Sequence, residues 1–232
     1  MATPPALQAF EPHLGPQPAS NTLYSPQQVT LILKEKVFSL SGDTFTVQTA
    51  EGTNVLQVKG KVASLHARKT FSDMAGEQYF SSILLGVHHW KRSYSFATPM
   101  NADVPGIFIG AEILVLAEKK LKLFKTFYGE SPAGHNFDIE GHFSFGSSKS
   151  TVSFVNAGDK APIELQVKGD WFDRCASIKL GERTVASVSR SFANAREVFG
   201  GKQTYFVTVA PNMDLSLIAA ICVGLDEREN EK

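Results

Sequence analysis

The sequence predicts an all-β chain whose strands close around a hydrophobic C-terminal helix, and three observations predict it. Short β-rich runs recur between turn residues from position 29 onward, roughly a dozen of them. No convincing helical period precedes residue 213. Residues 213–225, MDLSLIAAICVGL, are apolar on every face of a helix. A helix that is apolar all round has to be surrounded on all sides. A sheet of about a dozen strands closes or curls rather than staying open. A closed barrel has a lumen, and such a helix is a suitable filling for it.

The first element is compositional. Residues 1–26 hold six of the eleven prolines, at 4, 5, 12, 16, 18 and 26, and no Lys or Arg. They are expected to form a flexible, proline-rich tail that could offer a short proline motif to protein partners. From residue 29 the pattern becomes strand-like. Residues 44–48, TFTVQ, alternate polar and apolar with period two. Turns are expected at 41–43, 51–54 and 72–76, with strands at 55–58, 62–68 and 79–85 between and beyond them. Further strands are expected at 88–96, 107–109, 113–116, 121–128, 142–145, 151–155, 163–167, 175–180, 184–189 and 204–209. The helix follows Pro211, with Asn212 or Asp214 placed to cap its first turn. A bilayer span needs about 20 apolar residues. This stretch is shorter and runs into Asp226, Glu227, Arg228 and Glu229, so a buried core helix is expected. Burying its large side chains is worth about 10–20 kcal/mol gross, an upper bound.

Leu56-Gln57-Val58-Lys59-Gly60 recurs identically as Leu165-Gln166-Val167-Lys168-Gly169, with a weaker echo of residues 62–65 in 185–188. Two half-barrels of about 110 residues would follow from a duplication. Neither half has a central helix of its own, so one domain is expected over 27–227, followed by a short charged tail at 228–232.

Composition narrows the function. Lys+Arg equals Asp+Glu, 23 each. Without a global basic field, nucleic acid is not an expected partner and any anion site must be local. Two cysteines, Cys175 and Cys222, are too few for a disulfide framework or a cysteine-rich zinc site. Nothing in residues 1–33 has the basic start and apolar run of a secretory signal, which makes a cytoplasmic protein the expectation. No nucleophile elbow, phosphate loop, dinucleotide fingerprint, zinc-protease helix or EF-hand loop is present. A non-enzymatic protein with no catalytic residue, cofactor or metal is therefore expected, as a monomer.

Four groups of residues carry candidate chemistry. Residues 146–150, GSSKS, lack the spacing and helix of a phosphate loop and read as a hairpin turn. His135, Asp138, Glu140 and His142 form the most metal-like cluster. On a strand the last three share one face, although a polar exposed face explains them as well. Asp226, Glu227 and Glu229 could attract calcium, but a solvated helix exit is the more economical account. Among the basic groups, Lys119, Lys120, Lys122 and Lys125 are split between two faces by alternation. Arg68 and Lys69 at a strand end, with Lys91 and Arg92 on a nearby hairpin, could make a small pocket for a lipid headgroup phosphate. The competing account is a sheet edge decorated with charge against aggregation.

Four stretches resemble the LURP-one-related family: residues 58–68 with 73–76; Trp90 after a Leu-rich strand; residues 167–174 followed by 185–190; and residues 205–214 leading into the apolar helix. The match runs from about residue 35 to 227 and departs at 99–106, which looks like an insertion. That family is grouped with tubby C-terminal-like proteins and phospholipid scramblases. The resemblance implies a twelve-stranded closed β-barrel around a central C-terminal helix. For function it implies peripheral binding of membrane phospholipid or phosphoinositide headgroups in signalling. A protein-interaction scaffold using the tail, or scramblase-like lipid transport, are the alternatives. The dense basic run of tubby has no counterpart here.

Overall fold

The structure, a computed structural model, describes residues 6–18, 23–36, 44–60, 68–85, 126–130, 132, 134, 136–142, 148–170, 175–189 and 204–230. The strands are β1 (Val29–Lys36), β2 (Thr44–Thr49), β3 (Asn54–Gly60), β4 (Arg68–Ser72), β5 (Gln78–Leu85) and β6 (Thr126–Glu130). They continue as β7 (Asn136–His142), β8 (Ser148–Val155), β9 (Pro162–Asp170), β10 (Cys175–Leu180), β11 (Arg183–Ser189) and β12 (Thr204–Val209). The helix α1 (Leu215–Asn230) comes last. Each strand pairs antiparallel with its neighbours in sequence, and β1 pairs with β12 from Val29↔Val209 to Lys34↔Thr204, so the sheet is a closed barrel. Closure leaves no unpaired edge in the ring.

The period-two pattern fills the inside. Leu31, Leu33, Val47, Leu56, Val58, Phe71, Phe80, Phe137, Ile139, Val152, Leu165, Val167, Ile178, Tyr205 and Val207 are buried in one continuous core. Within that ring lies α1, with Leu217, Ile218, Ala219, Ala220, Ile221, Cys222 and Val223 all fully buried. A helix with side chains is about 10–12 Å across. An eight-stranded barrel is filled by its own side chains, and added strands widen the lumen, so a ring this large has room for a helix. The two copies of LQVKG lie in β3 and β9, six strands apart in the ring and so on opposite walls.

Up-and-down topology sorts the connections between two rims. At the first rim β1 starts, α1 enters, and the connections 50–53, 73–77, 131–135, 156–161, 181–182 and 210–214 join strand ends. At the far rim the strand ends are joined by 37–43, 61–67, 86–125, 143–147, 171–174 and 190–203. Register shifts at Val47/Gln48, Phe71/Ser72 and Ile178/Lys179 all fall toward the first rim. Such bulges bend and twist strands where a barrel mouth has to be shaped.

The N-terminal residues differ from the expectation of a flexible tail over 1–26. Phe10, Leu14, Leu23 and Tyr24 are buried, and the first three belong to the main core. Residues 6–18 and 23–28 cross the first rim as a strap. Phe10 N donates to Pro211 O, Leu14 N to Asn212 O, and Asp214 N to Leu14 O; Asn212 N donates to Ser25 O, and Leu215 N to Leu23 O. The lead into α1 is thus bridged on one side by Leu14↔Met213 and on the other by Tyr24↔Asp214. The Arg183 guanidinium donates to Ala9 O at 2.6 Å and stacks 4.0 Å from the Phe10 ring centre. Proline content suggested disorder, but four apolar side chains spaced among the prolines provide the burial that holds the segment down.

The other elements agree closely with the sequence, with local shifts. Residues 175–180 and 204–209 are strands as read, while of the strand expected at 142–145 only His142 lies among the described residues, and it ends β7, Asn136–His142. Of the strand expected at 62–68, only Arg68 lies among the described residues, and it opens β4. The strands expected at 88–96, 107–109 and 113–116 lie outside the described residues. The helix continues to Asn230 rather than stopping at Leu225.

Candidate functional site

At the first rim the chemistry centres on Asp214, which is fully buried. Its Oδ1 accepts from Ser216 N at 2.9 Å, Ser216 Oγ at 2.6 Å and Leu217 N at 3.2 Å. Those amides are the second and third of α1, so Asp214 is the N-cap and Asn212 is not. The φ of +61° at Asn212 turns the chain into the helix, and its side chain donates to Phe10 O. Oδ2 of Asp214 faces Gln17 N at 3.4 Å. Burial pushes the Asp214 carboxyl up, against hydrogen bonds from Ser216, Leu217 and Gln17 that pull it down. Tyr24 lies beside it and donates to Gln17 O at 2.7 Å. Burial first, and then the Asp214 charge, push its phenol far above the usual range.

No substrate can approach this carboxylate from the strap side. A Cβ on Gly15 would collide with Asp214 and Tyr24, and Gly15 is locked by Asn156 Oδ1 on its N–H and by Ala157 N on its carbonyl. An acid so enclosed and so fully bonded serves as a lock between strap and helix rather than as a general acid or base.

The outer wall of β6–β9 is the second region with clustered charge. Asp138 is half-buried and Glu140 exposed, and both point outward because Phe137 and Ile139 point in. Burial, followed by the charge of Glu140, pushes the Asp138 carboxyl up. The phenol of Tyr128, register partner of Asp138, is raised by burial and then by Glu130 and Asp138. His142 ends the same strand, while His135 lies outside the described residues. Among the described residues no three His, Cys, Asp or Glu gather closely enough to hold a metal ion. Glu130, Asp138, Glu140 and Glu164 give this part of the wall a negative surface.

Toward the far rim the same wall changes sign. Lys149 on β8 and Lys168 on β9 are direct register partners, and both are exposed. Their row continues to His142 on β7 and Ser177 on β10. Residues 148–150 are therefore strand rather than the hairpin turn expected for the GSSKS run. Sequence reasoning missed this lysine pair. The signal was present, since both lysines are equidistant from the turn Asn156–Ala161, closed by Asn156 N to Ala161 O at 2.9 Å.

The four residues read as a headgroup pocket divide. Arg68 begins β4 at the far rim. Lys91 and Arg92 lie outside the described residues, in the connection from β5 to β6 that joins strand ends at that rim. Lys69 does not fit an exposed contact. It alternates with Phe71 toward the inside, opposite Gly60 and Ser82, and is 3% exposed. Its ammonium is therefore not available on the outer surface of β4.

The family model for LURP-one-related proteins matches residues 29–101 and 109–226. Its break falls where the sequence suggested an insertion at 99–106, and the strap precedes its first matched residue. Protein LURP-one-related 15 of Arabidopsis thaliana is 24% identical over 211 residues, covering 89% of this chain and 83% of that protein. Protein LURP1 of the same plant is 22% identical over 209 residues, covering 88% and 86%. An X-ray structure of an Arabidopsis thaliana protein aligns over 94% of this chain and 98% of its own, at 16% identity and a TM-score of 0.49. With the family model covering nearly all of the barrel and its helix, the chain belongs to the LURP-one-related family.

Proposed function

We propose that this protein is a non-enzymatic barrel that binds phospholipid or phosphoinositide headgroups at the surface of a membrane, through the far rim, in cytoplasmic signalling. The observation that carries this reading is the sorting of charge in a chain with none overall. The connections at the first rim and the strap hold seven Asp or Glu and one Lys. Those joining strand ends at the far rim hold eleven Lys or Arg and six Asp or Glu. Arg68 opens β4 at the far rim, and Lys91 and Arg92 fall within the sequence of one of those connections. The acidic exit of α1, at Asp226, Glu227 and Glu229, moderates the contrast without reversing it. Basic residues beside an anionic leaflet contribute roughly 1 kcal/mol each.

Attachment from outside, rather than insertion, is supported by the burial of α1 inside the ring, and no described helix is long and apolar enough to cross a membrane. The resemblance to tubby-like and scramblase proteins supports a lipid ligand. The packing of the strap weakens the reading in which the tail recruits partners. Co-sedimentation with phosphatidylcholine vesicles, with and without a phosphoinositide, tests the proposal. Binding to the phosphoinositide vesicles that falls as salt rises is the expected result. Equal, negligible binding to both overturns it.

A further inference from the structure

We infer that Lys149 and Lys168 are a phosphate-binding pair on the outer wall, selective for the dianion of a phosphate monoester. This inference rests on the headgroup reading above and adds to it a site outside the four residues that the sequence singled out.

The two lysines are Cα partners on adjacent strands, and both are exposed. Like charges placed directly opposite each other in a sheet are unfavourable. Neither lysine has an ion pair among the described residues, and the register partners that flank them in the row, His142 and Ser177, bring no carboxylate. The strands cannot slide to separate them. A slip of one residue would turn Val152, Phe154, Leu165 and Val167 out of the core. The register is also held by the turn at Asn156, where the Asn156 side chain donates to Asp159 Oδ1 at 2.8 Å.

The internal repeat supplies a control for this arrangement. Lys59 holds the place of Lys168 in the other copy of LQVKG, but its register partners are Thr44 and Thr70. The doubled charge therefore belongs to the β8–β9 wall and not to the repeat as such. Two ammonium groups fixed about 5 Å apart at their backbones can both donate to one phosphate. A monoester carries close to two negative charges at neutral pH, whereas the diester of an ordinary headgroup carries one. The pair therefore favours a terminal phosphate, whether on a lipid or on a soluble compound.

The test uses the full chain and the variants Lys149→Glu and Lys160→Glu. The second reverses an exposed charge at the opposite rim. Vesicles contain either a phosphoinositide or phosphatidylserine at equal surface charge, and inositol trisphosphate serves as the soluble probe, followed at the backbone amides. The wild-type chain should prefer phosphoinositide vesicles. Lys149→Glu should weaken that binding on the order of thirtyfold, since each unit of charge near an anionic surface contributes roughly fivefold and the reversal changes two. Lys160→Glu should leave it unchanged. Because the introduced carboxylate would face Lys168, the Lys149→Glu variant should also melt higher than the wild type, which separates lost binding from lost folding.

Vesicle binding unchanged in Lys149→Glu would overturn the pair and leave the headgroup reading standing. No vesicle binding, with inositol trisphosphate shifting the amides of Lys149 and Lys168 in the wild type alone, would keep the pair as a soluble-phosphate site and overturn the lipid reading. Neither binding nor shifts would overturn both. A lower melting temperature in Lys149→Glu would count against the repulsion on which the pair is argued.

Discussion

The two rims of this barrel solve different problems with the same strands. At the first, short turns, three bulges and the N-terminal strap converge on Asp214, and hydrogen bonds from Gly15, Gln17 and the strap backbone tie distant parts of the chain together. The longest connections, 86–125 and 190–203, join strand ends at the far rim, and the wall toward that rim carries two lysines set opposite each other in register. One rim is built to hold, with Asp214 buried at its centre and the acidic residues of its turns mostly exposed around it. Toward the other, the described wall sets Lys149 and Lys168 in direct register, a like-charge pairing that a sheet disfavours. A supported end and a wall that opposes like charges suit the binding surface proposed above.

Removing the strap should break the contrast most strongly. A chain lacking residues 1–18 loses the burial of Phe10 and Leu14, the hydrogen bonds to the helix lead and the cover over Asp214. Large apolar side chains lost from a core cost about 2–5 kcal/mol each, so urea unfolding should show a loss of roughly 5 kcal/mol or more. A chain that kept its midpoint would show that the first rim is not locked by the strap.

Next in size is the cap. Asp214→Ala leaves buried donors unanswered at Ser216 and Leu217 and should cost about 2–3 kcal/mol. Asp214→Asn keeps an acceptor oxygen and should cost less. The pH dependence has a definite sign. Burial raises the Asp214 carboxyl above its ordinary value of 3.8, so the folded state holds its proton more tightly than the unfolded state. The stability this group contributes is complete below pH 3.8 and is lost as pH rises through the folded value. Compared with Asp214→Asn, the wild type should therefore lose stability across that interval as pH increases, as read by unfolding the two proteins side by side. The opposite slope would mean that the hydrogen bonds and the helix dipole outweigh desolvation.

A smaller effect should follow Arg183→Ala, which removes the clamp on Ala9 and the stacking on Phe10. About 1 kcal/mol is expected, together with faster amide exchange at Phe10 and Leu14 and little change on β8 or β9. The smallest effect has the opposite direction. Lys149→Glu should stabilise the barrel by about 0.5 kcal/mol, since an opposed like pair becomes an opposed unlike pair. Gains at the far rim and losses at the first would sharpen the distinction between them, and losses at both would remove it.

Much of this fold is readable along the chain. TFTVQ at 44–48 alternates as an outer wall strand must, and β2 is Thr44–Thr49. The all-round apolar run from 213 is the helix that fills the lumen. The cap was narrowed to Asn212 or Asp214, and the geometry chose Asp214 because its side chain reaches the second and third amides of α1. The strap was not readable in this way. Six prolines outweighed Phe10, Leu14, Leu23 and Tyr24, whose value depends on a barrel mouth built mainly from residues far away. Lys69 was misplaced for a related reason. It sits one residue from Arg68 at the rim, but it takes the same inward phase as Phe71.

What the sequence determined alone was local: which residues alternate, which stretch is apolar on every side, and where turn-forming residues interrupt. These follow from the fixed periods of strand and helix and need no knowledge of neighbours. The tertiary structure decided which charges meet. Lys149 faces Lys168, and acidic turns gather at one rim while basic connections join strands at the other, only because an up-and-down ring returns every second connection to the same end. That sorting depends on strand order and register, which bring together residues far apart in the chain.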